Sequence, residues 1–268
     1  MVILYDKSQK RLLFFKKMED TFWDQLWAKK DIEAIYQNLS RFNIVNRITK
    51  RYLNPEDGPI LEGGCGLGQY VYSLNKAGYE CYGIDVAEKT VAKIKETYPY
   101  LKIDVMDVRK LDYPDNYFAG YWSLGVIEHF FEGYDTIVRE MFRVLKENGY
   151  LFLTVPVMSL LRKFKAKCGL YPAWQEHEHT IKDFYQFAFN PKNVIESFED
   201  KGFTLIDIKP YDGVKGLKDE VPIFKPFLQP LYNRKDLPSK SIKKTLSIMI
   251  RHFTNHMCLF VMQKVRTN

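Results

Sequence analysis

Residues 59–71 read PILEGGCGLGQYV. An apolar pair, Ile60–Leu61, ends in an acid, Glu62, and glycines follow at 64, 66 and 68. Beyond them Tyr70, Val71 and Leu74 take up helical spacing. A strand that passes through a glycine turn into a helix is where an α/β protein lets a ligand approach the backbone. A dinucleotide fingerprint would need a glycine where Gln69 stands, and a Walker loop would need a lysine and a hydroxyl after the turn. The spacing E-x-G-x-G-x-G therefore suits a ligand without a pyrophosphate to cradle.

Working outward, strand-like runs at 59–63, 79–85, 101–105, 117–122 and 149–155 alternate with helical runs near 68–77, 87–97 and 134–146. That alternation predicts an α/β fold with a parallel sheet covered on both faces. A helix over 191–202, stopped at Gly202, leads to the strand FTLIDIKPY, and HMCLFVMQKV supplies a final one. The intervening segment, rich in proline and lysine, is too long for an ordinary connection. The first fifty-odd residues read as helical. The expected organisation is a helical cap over 1–55, holding Trp23 and Trp27, and a main domain over 56–268. The latter carries a lid segment at 156–190 and a basic insertion at 211–254.

The 268 residues, 46% hydrophobic, suffice for one sizeable core. No stretch approaches the roughly 20 apolar residues of a membrane span, and the N-terminus lacks a secretory cleavage pattern. A cytoplasmic location is expected. Cysteines at 65, 81, 168 and 258 are too scattered for a zinc cluster or a redox pair, and buried free thiols are expected. The net charge of +7 is local. Residues 157–170 hold four basic groups and no acid, and 211–254 hold nine against four. An anionic partner is the natural reading.

The glycine motif resembles motif I of the class I S-adenosylmethionine-dependent methyltransferases, and further landmarks follow in order. The strand YECYGID ends in Asp85; DVMDVRKLDYPDNYFAGYWSLGVIEHF and RVLKENGYLFLTVP resemble the family's next stretches. The resemblance is close over about 56–155. It implies a Rossmann-like, doubly wound, mostly parallel sheet of seven strands, the last one antiparallel, and S-adenosylmethionine as cofactor with S-adenosylhomocysteine as product. Glu62, Gly64, Gly66 and Gly68 would surround that cofactor. Asp85, with Val86 beside it, would accept from the ribose hydroxyls, Asp107 from the adenine amine while Val108 donates its amide, and Ser123 and Leu124 would line the methionine end.

Methyl transfer from a sulfonium needs positioning above all, and a general base where the acceptor is a hydroxyl. Base-amine methyltransferases carry an Asn/Asp/Ser-Pro-Pro-Tyr/Phe turn where SLGV stands at 123–126, and carbon-5 cytosine enzymes need a Pro-Cys pair that is absent. Nucleic acid is disfavoured as acceptor. Some quinone-biosynthetic O-methyltransferases bind a divalent ion through Glu-x-x-Glu-His; Gly125 replaces the first glutamate here, and no metal is expected. Glu128, His129 and His179 are the candidate catalytic groups. Trp27, His177, Tyr185 and Phe187 are the candidate acceptor walls.

In SKSIKKTLSIMIRHFT (239–254), Ile242, Leu246, Met249 and Phe253 recur at helical spacing, with Lys240, Lys244 and Arg251 on another face. Such a helix can dock on the core or rest on an anionic membrane. From 155 onward the chain looks like methyltransferases of surface-polysaccharide and glycolipid pathways, which would imply a sugar or lipid-linked glycan hydroxyl. A small-metabolite O- or N-methyltransferase is the enzymatic alternative. A non-catalytic cofactor-binding subunit of a partner enzyme is the other.

Overall fold

A computed structural model describes residues 1–17, 19, 21–175, 181–234 and 236–265. The chain opens with a hairpin, β1 (Val2–Asp6) and β2 (Arg11–Phe15), followed by helices α1 (Phe22–Ala28), α2 (Ile32–Gln37) and α3 (Ile44–Tyr52). The alternating unit then runs β3 (Ile60–Gly63), α4 (Gln69–Lys76), β4 (Cys81–Asp85), α5 (Glu88–Thr97), β5 (Lys102–Val105), β6 (Phe118–Leu124), α6 (Asp135–Val144) and β7 (Leu145–Pro156). After it come α7 (Leu160–Lys167), β8 (Phe184–Ala188), α8 (Pro191–Glu199) and β9 (Phe203–Tyr211). Helices α9 (Gly213–Glu220), α10 (Lys225–Asn233) and α11 (Leu237–Thr254) precede the last strand, β10 (Met257–Lys264).

Seven strands form one sheet in the order β5-β4-β3-β6-β7-β10-β9. β10 is antiparallel to both neighbours, whereas β3 to β7 pair parallel. Successive residues of the central strands feed opposite faces. Tyr121, Leu151 and Leu153 enter the core on one side, Trp122 and Phe152 that on the other. The first six residues of β6 are buried, as expected for a strand covered on both faces. Trp122 stacks on Phe152 at 4.5 Å, and its indole N–H donates to Thr49 Oγ1 at 3.0 Å. That bond ties α3 to the sheet.

The helical reading of the first residues fails for 2–15. Asp6 Oδ1 accepts the backbone N–H groups of Ser8 and Gln9, and Oδ2 meets Arg11, so the chain turns back on itself after five residues. β2 then pairs antiparallel with β8, building a second, three-stranded sheet that joins the chain's start to the expected lid. The apolar runs VILYD and RLLFF are too short to show a period by which strand and helix could be told apart. Cys65, Cys81 and Cys258 are buried free thiols, but Cys168 is exposed.

Candidate active site

A cavity of about 490 Å³ opens at the C-terminal ends of β3, β4 and β6, with α1 and β8 closing over it. Its floor is the glycine turn. Gly64 and Gly66 hold positive φ, and the amides of Gly64 and Cys65 both donate to the Ile84 carbonyl at 2.8 and 2.9 Å. A Cβ on Gly64 would stand 2.6 Å from Val126, and one on Gly66 would stand 2.8 Å from the Trp27 ring. Bare backbone is what lets the turn face the cavity. Gly68 plays another part: it caps α4 and abuts Ile103, away from the cavity.

Asp85 shapes the same turn. Its Oδ2 accepts the Gly66 amide at 2.7 Å and its Oδ1 the Ala87 amide at 2.9 Å. Burial nonetheless raises its pKa, because the backbone amides of Ala87, Gly66 and Val86 offset only part of the lost hydration. Glu62 lies deeper. Its Oε2 has no partner among the described residues, and burial, with the Asp85 charge adding, pushes its pKa well above the carboxylate range. An arriving cation would supply what this carboxyl lacks.

Val86, Asp107, Val108 and Leu124 also line the cavity. Asp107 differs from the sequence expectation in having its own partner. Arg109 grips it with Nε at 3.1 and 3.0 Å and Nη2 at 2.5 Å, which holds the carboxyl below its usual range. The pair was within reach of the sequence, since D-x-R in a tight loop brings both side chains together. Ser123 stands apart from the cavity: it is fully buried, with its Oγ unpartnered among the described residues.

The opposite wall is aromatic, built from Trp23, Trp27, Phe130 and Tyr185 around His129. The Trp23 ring meets His129 edge-on at 4.8 Å. His129 Nδ1 lies 2.6 Å from the Tyr185 carbonyl, so this nitrogen carries the proton and donates, and Nε2 keeps the lone pair. Burial lowers the His129 pKa to about 4. Glu128 is buried outside the cavity, its Oε1 3.3 Å from where a Gly125 Cβ would stand, and burial raises its pKa to about 8. A protonated carboxyl behind the wall is not placed to touch an acceptor.

Phe187 also departs from expectation, being a fully buried core residue stacked with Phe131 at 6.1 Å and covered by Arg11. Its register explains why. Phe15 pairs with Phe184 and Phe14 with Gln186, leaving Tyr185 as the extra residue of a bulge. The bulge breaks the period of two, so Tyr185 and Phe187 do not share a face. His177 and His179 lie outside the described residues. Trp23, Leu26, Met106 and Phe130 line the cavity without having been marked as site residues.

Comparison with known proteins adds a family to this geometry. Residues 61–153 match the family described as a methyltransferase domain. A protein of Mycolicibacterium smegmatis named as a probable S-adenosylmethionine-dependent methyltransferase is 31% identical over 133 residues, which are 50% of this chain and 46% of the relative. The match thus spans about half the length of this curated relative. Among solved structures, the [4+2]-cyclase SpnF superposes with a TM-score of 0.56 at 16% identity, covering 94% of this chain and 99% of its own. Burkholderia thailandensis 1,6-didemethyltoxoflavin-N1-methyltransferase, solved with S-adenosylhomocysteine bound, gives 0.54 at 13% identity over 99% and 100%. The chain has the Rossmann-like, seven-stranded fold seen in class I methyltransferases, and its residues 61–153 match a family described as a methyltransferase domain.

Proposed function

We propose that this chain methylates a hydroxyl of a sugar, glycolipid or related small acceptor. The observation that carries the reading is His129: neutral, on the cavity wall, with its tautomer set by the Tyr185 carbonyl so that Nε2 is the basic nitrogen. The residues of the floor fit S-adenosylmethionine. The unpartnered Glu62 Oε2 suits a ligand ammonium, Asp85 keeps acceptor capacity beyond its backbone bonds, and the bare glycines admit a close ligand. Val86, Asp107, Val108 and Leu124 complete the proposed cofactor wall.

When bound, S-adenosylmethionine would supply an electrophilic methyl group with a neutral thioether as its leaving group, held by Glu62, Asp85 and the glycine turn. His129 Nε2 takes the hydroxyl proton. A base with pKa near 4 suffices, because an oxygen that gains a methyl cation becomes far more acidic than the free hydroxyl. Trp23, Trp27 and Tyr185 exclude water and offer flat faces to the C–H surface of a sugar ring.

Calorimetric titration with S-adenosylmethionine and S-adenosylhomocysteine tests the floor first. Asp85→Ala should weaken both at least tenfold by freeing the Gly66 turn and removing the ribose acceptor; unchanged affinity would sink the assignment. Release of S-adenosylhomocysteine in a panel of sugar, glycolipid and amine acceptors then tests the chemistry. Turnover with amines alone would overturn the hydroxyl reading.

A further inference from the structure

Helix α11 packs with the side that its sequence would not suggest. Its contact with α9 is made by small and polar groups. Ser247 Oγ accepts the Gly213 amide at 2.8 Å, Thr254 Oγ1 donates to the Gly213 carbonyl at 2.9 Å, and a Cβ on Gly216 would overlap the Thr254 carbonyl. The backbones therefore touch, and the apolar stripe is turned outward. Ile242, Met249 and Phe253 are 56%, 75% and 51% exposed. At i, i+7 and i+11 these three side chains leave half or more of their surface uncovered, although Leu246 between them is half-buried.

Both neighbouring helices repeat the pattern. α7 exposes Leu160 and Phe164, and α10 exposes Phe227, with Ile223 just before it. On α7 the exposed cations Lys163 and Lys167 share a face with Leu160 and Phe164, at i, i+3, i+4 and i+7, and α10 begins with the exposed Lys225. No aspartate or glutamate occurs within α7, α10 or α11. The two acids of α9 are already paired, and Asp236, the exposed N-cap of α11, accepts the Ser239 amide. Glu220, buried, is bridged by Arg162 and Lys165 at 2.7 Å each, and Asp219 by Lys215 and Lys218. The surface left over is apolar and carries more basic than acidic groups. Like charge opposes pairing it with a second copy, whereas an anionic bilayer matches both features.

Topology sets this surface at the cavity's end of the sheet. Pro156 at the end of β7 and Tyr211 at the end of β9 both register with Met257, where β10 begins. The segment from α9 to α11 therefore leaves and re-enters the sheet at the edge where the cavity opens. No described helix is long and apolar enough to cross a membrane. We propose that α7, α10 and α11 form a docking face that rests on an anionic lipid bilayer. The inference is independent of the proposed methyl transfer.

The test is flotation of the full chain with phosphatidylcholine vesicles, with and without about one third phosphatidylglycerol. Binding to the anionic vesicles only is expected, with a loss of roughly fivefold per lysine in Lys163→Gln and Lys167→Gln. The triple variant Ile242→Ser, Met249→Ser, Phe253→Ser should also detach. All these side chains are exposed, so thermal unfolding should match that of the parent and separate detachment from misfolding. No flotation with either vesicle, or equal flotation with both, would overturn the proposal. So would a dimer seen by light scattering that the triple variant dissolves, since the face would then be a self-interface.

Discussion

Glu128 offers a pH test whose sign and size both follow from burial. Its native pKa of about 8 stands against an ordinary 4.5, so between those values the native state keeps a proton that the unfolded chain has lost. Stability must fall as pH rises through that window, by about 1.4 kcal/mol per pH unit. The whole window amounts to about 5 kcal/mol. His129, next in the chain, works the other way: neutral in the fold down to about pH 4, it leaves the unfolded chain to bind a proton below 6.5. Its contribution rises with pH up to 6.5 and cancels that of Glu128. From 6.5 to 8 the carboxyl alone remains, costing about 2 kcal/mol. Glu128→Gln keeps the shape and removes the titration. Urea unfolding at half-unit steps from pH 5 to 8.5 should show the variant gaining steadily on the parent up to pH 8 and levelling off beyond. A difference between the two proteins that stays constant across that range would refute the reasoning.

Two further outcomes are expected. Gly66→Ala places a Cβ 2.8 Å from the Trp27 ring at a φ of 53°, so S-adenosylmethionine affinity should drop at least tenfold and unfolding should come about 1–2 kcal/mol sooner, by titration and urea melt; adding Trp27→Ala should recover the contact but not the backbone strain. His129→Ala should lower kcat by a factor on the order of 100 to 10,000 while cofactor affinity holds, and the parent's rate should be level from pH 6 to 8, since protonation of His129 lies near 4.

The central sheet was legible because its signals are local. Strand, glycine turn and helix follow one another within thirteen residues at PILEGGCGLGQYV, and each later unit repeats the alternation. What escaped was set by partners far off in sequence. Residues 11–15 become a strand by pairing with β8, about 170 positions away, residues 2–6 pair with them in turn, and no local period announces it. Phe187 left the site because a single bulge at Tyr185 shifted the register, an event decided by packing rather than by composition. Ser123 and Leu124 are adjacent, yet strand geometry sends one into the core and the other to the cavity. The amphipathic pattern of α11 was visible, but its outward facing was decided by the glycines of α9.

The position of β10 bears on how the molecule assembles. It follows every other described strand in sequence, yet it lies between β7 and β9, and among the described strands β9 is paired into the sheet only through it. β9 therefore has no seat until residues 257–264 are in place, and helices α9 to α11 wait with it. The β3–β7 unit can collapse early on nearby contacts, whereas closure of the far edge carries a long loop-closure cost. Refolding should thus proceed in two stages, with protection of β3 to β7 from hydrogen exchange preceding that of β9, and a chain cut before residue 257 should lose two strand interfaces together.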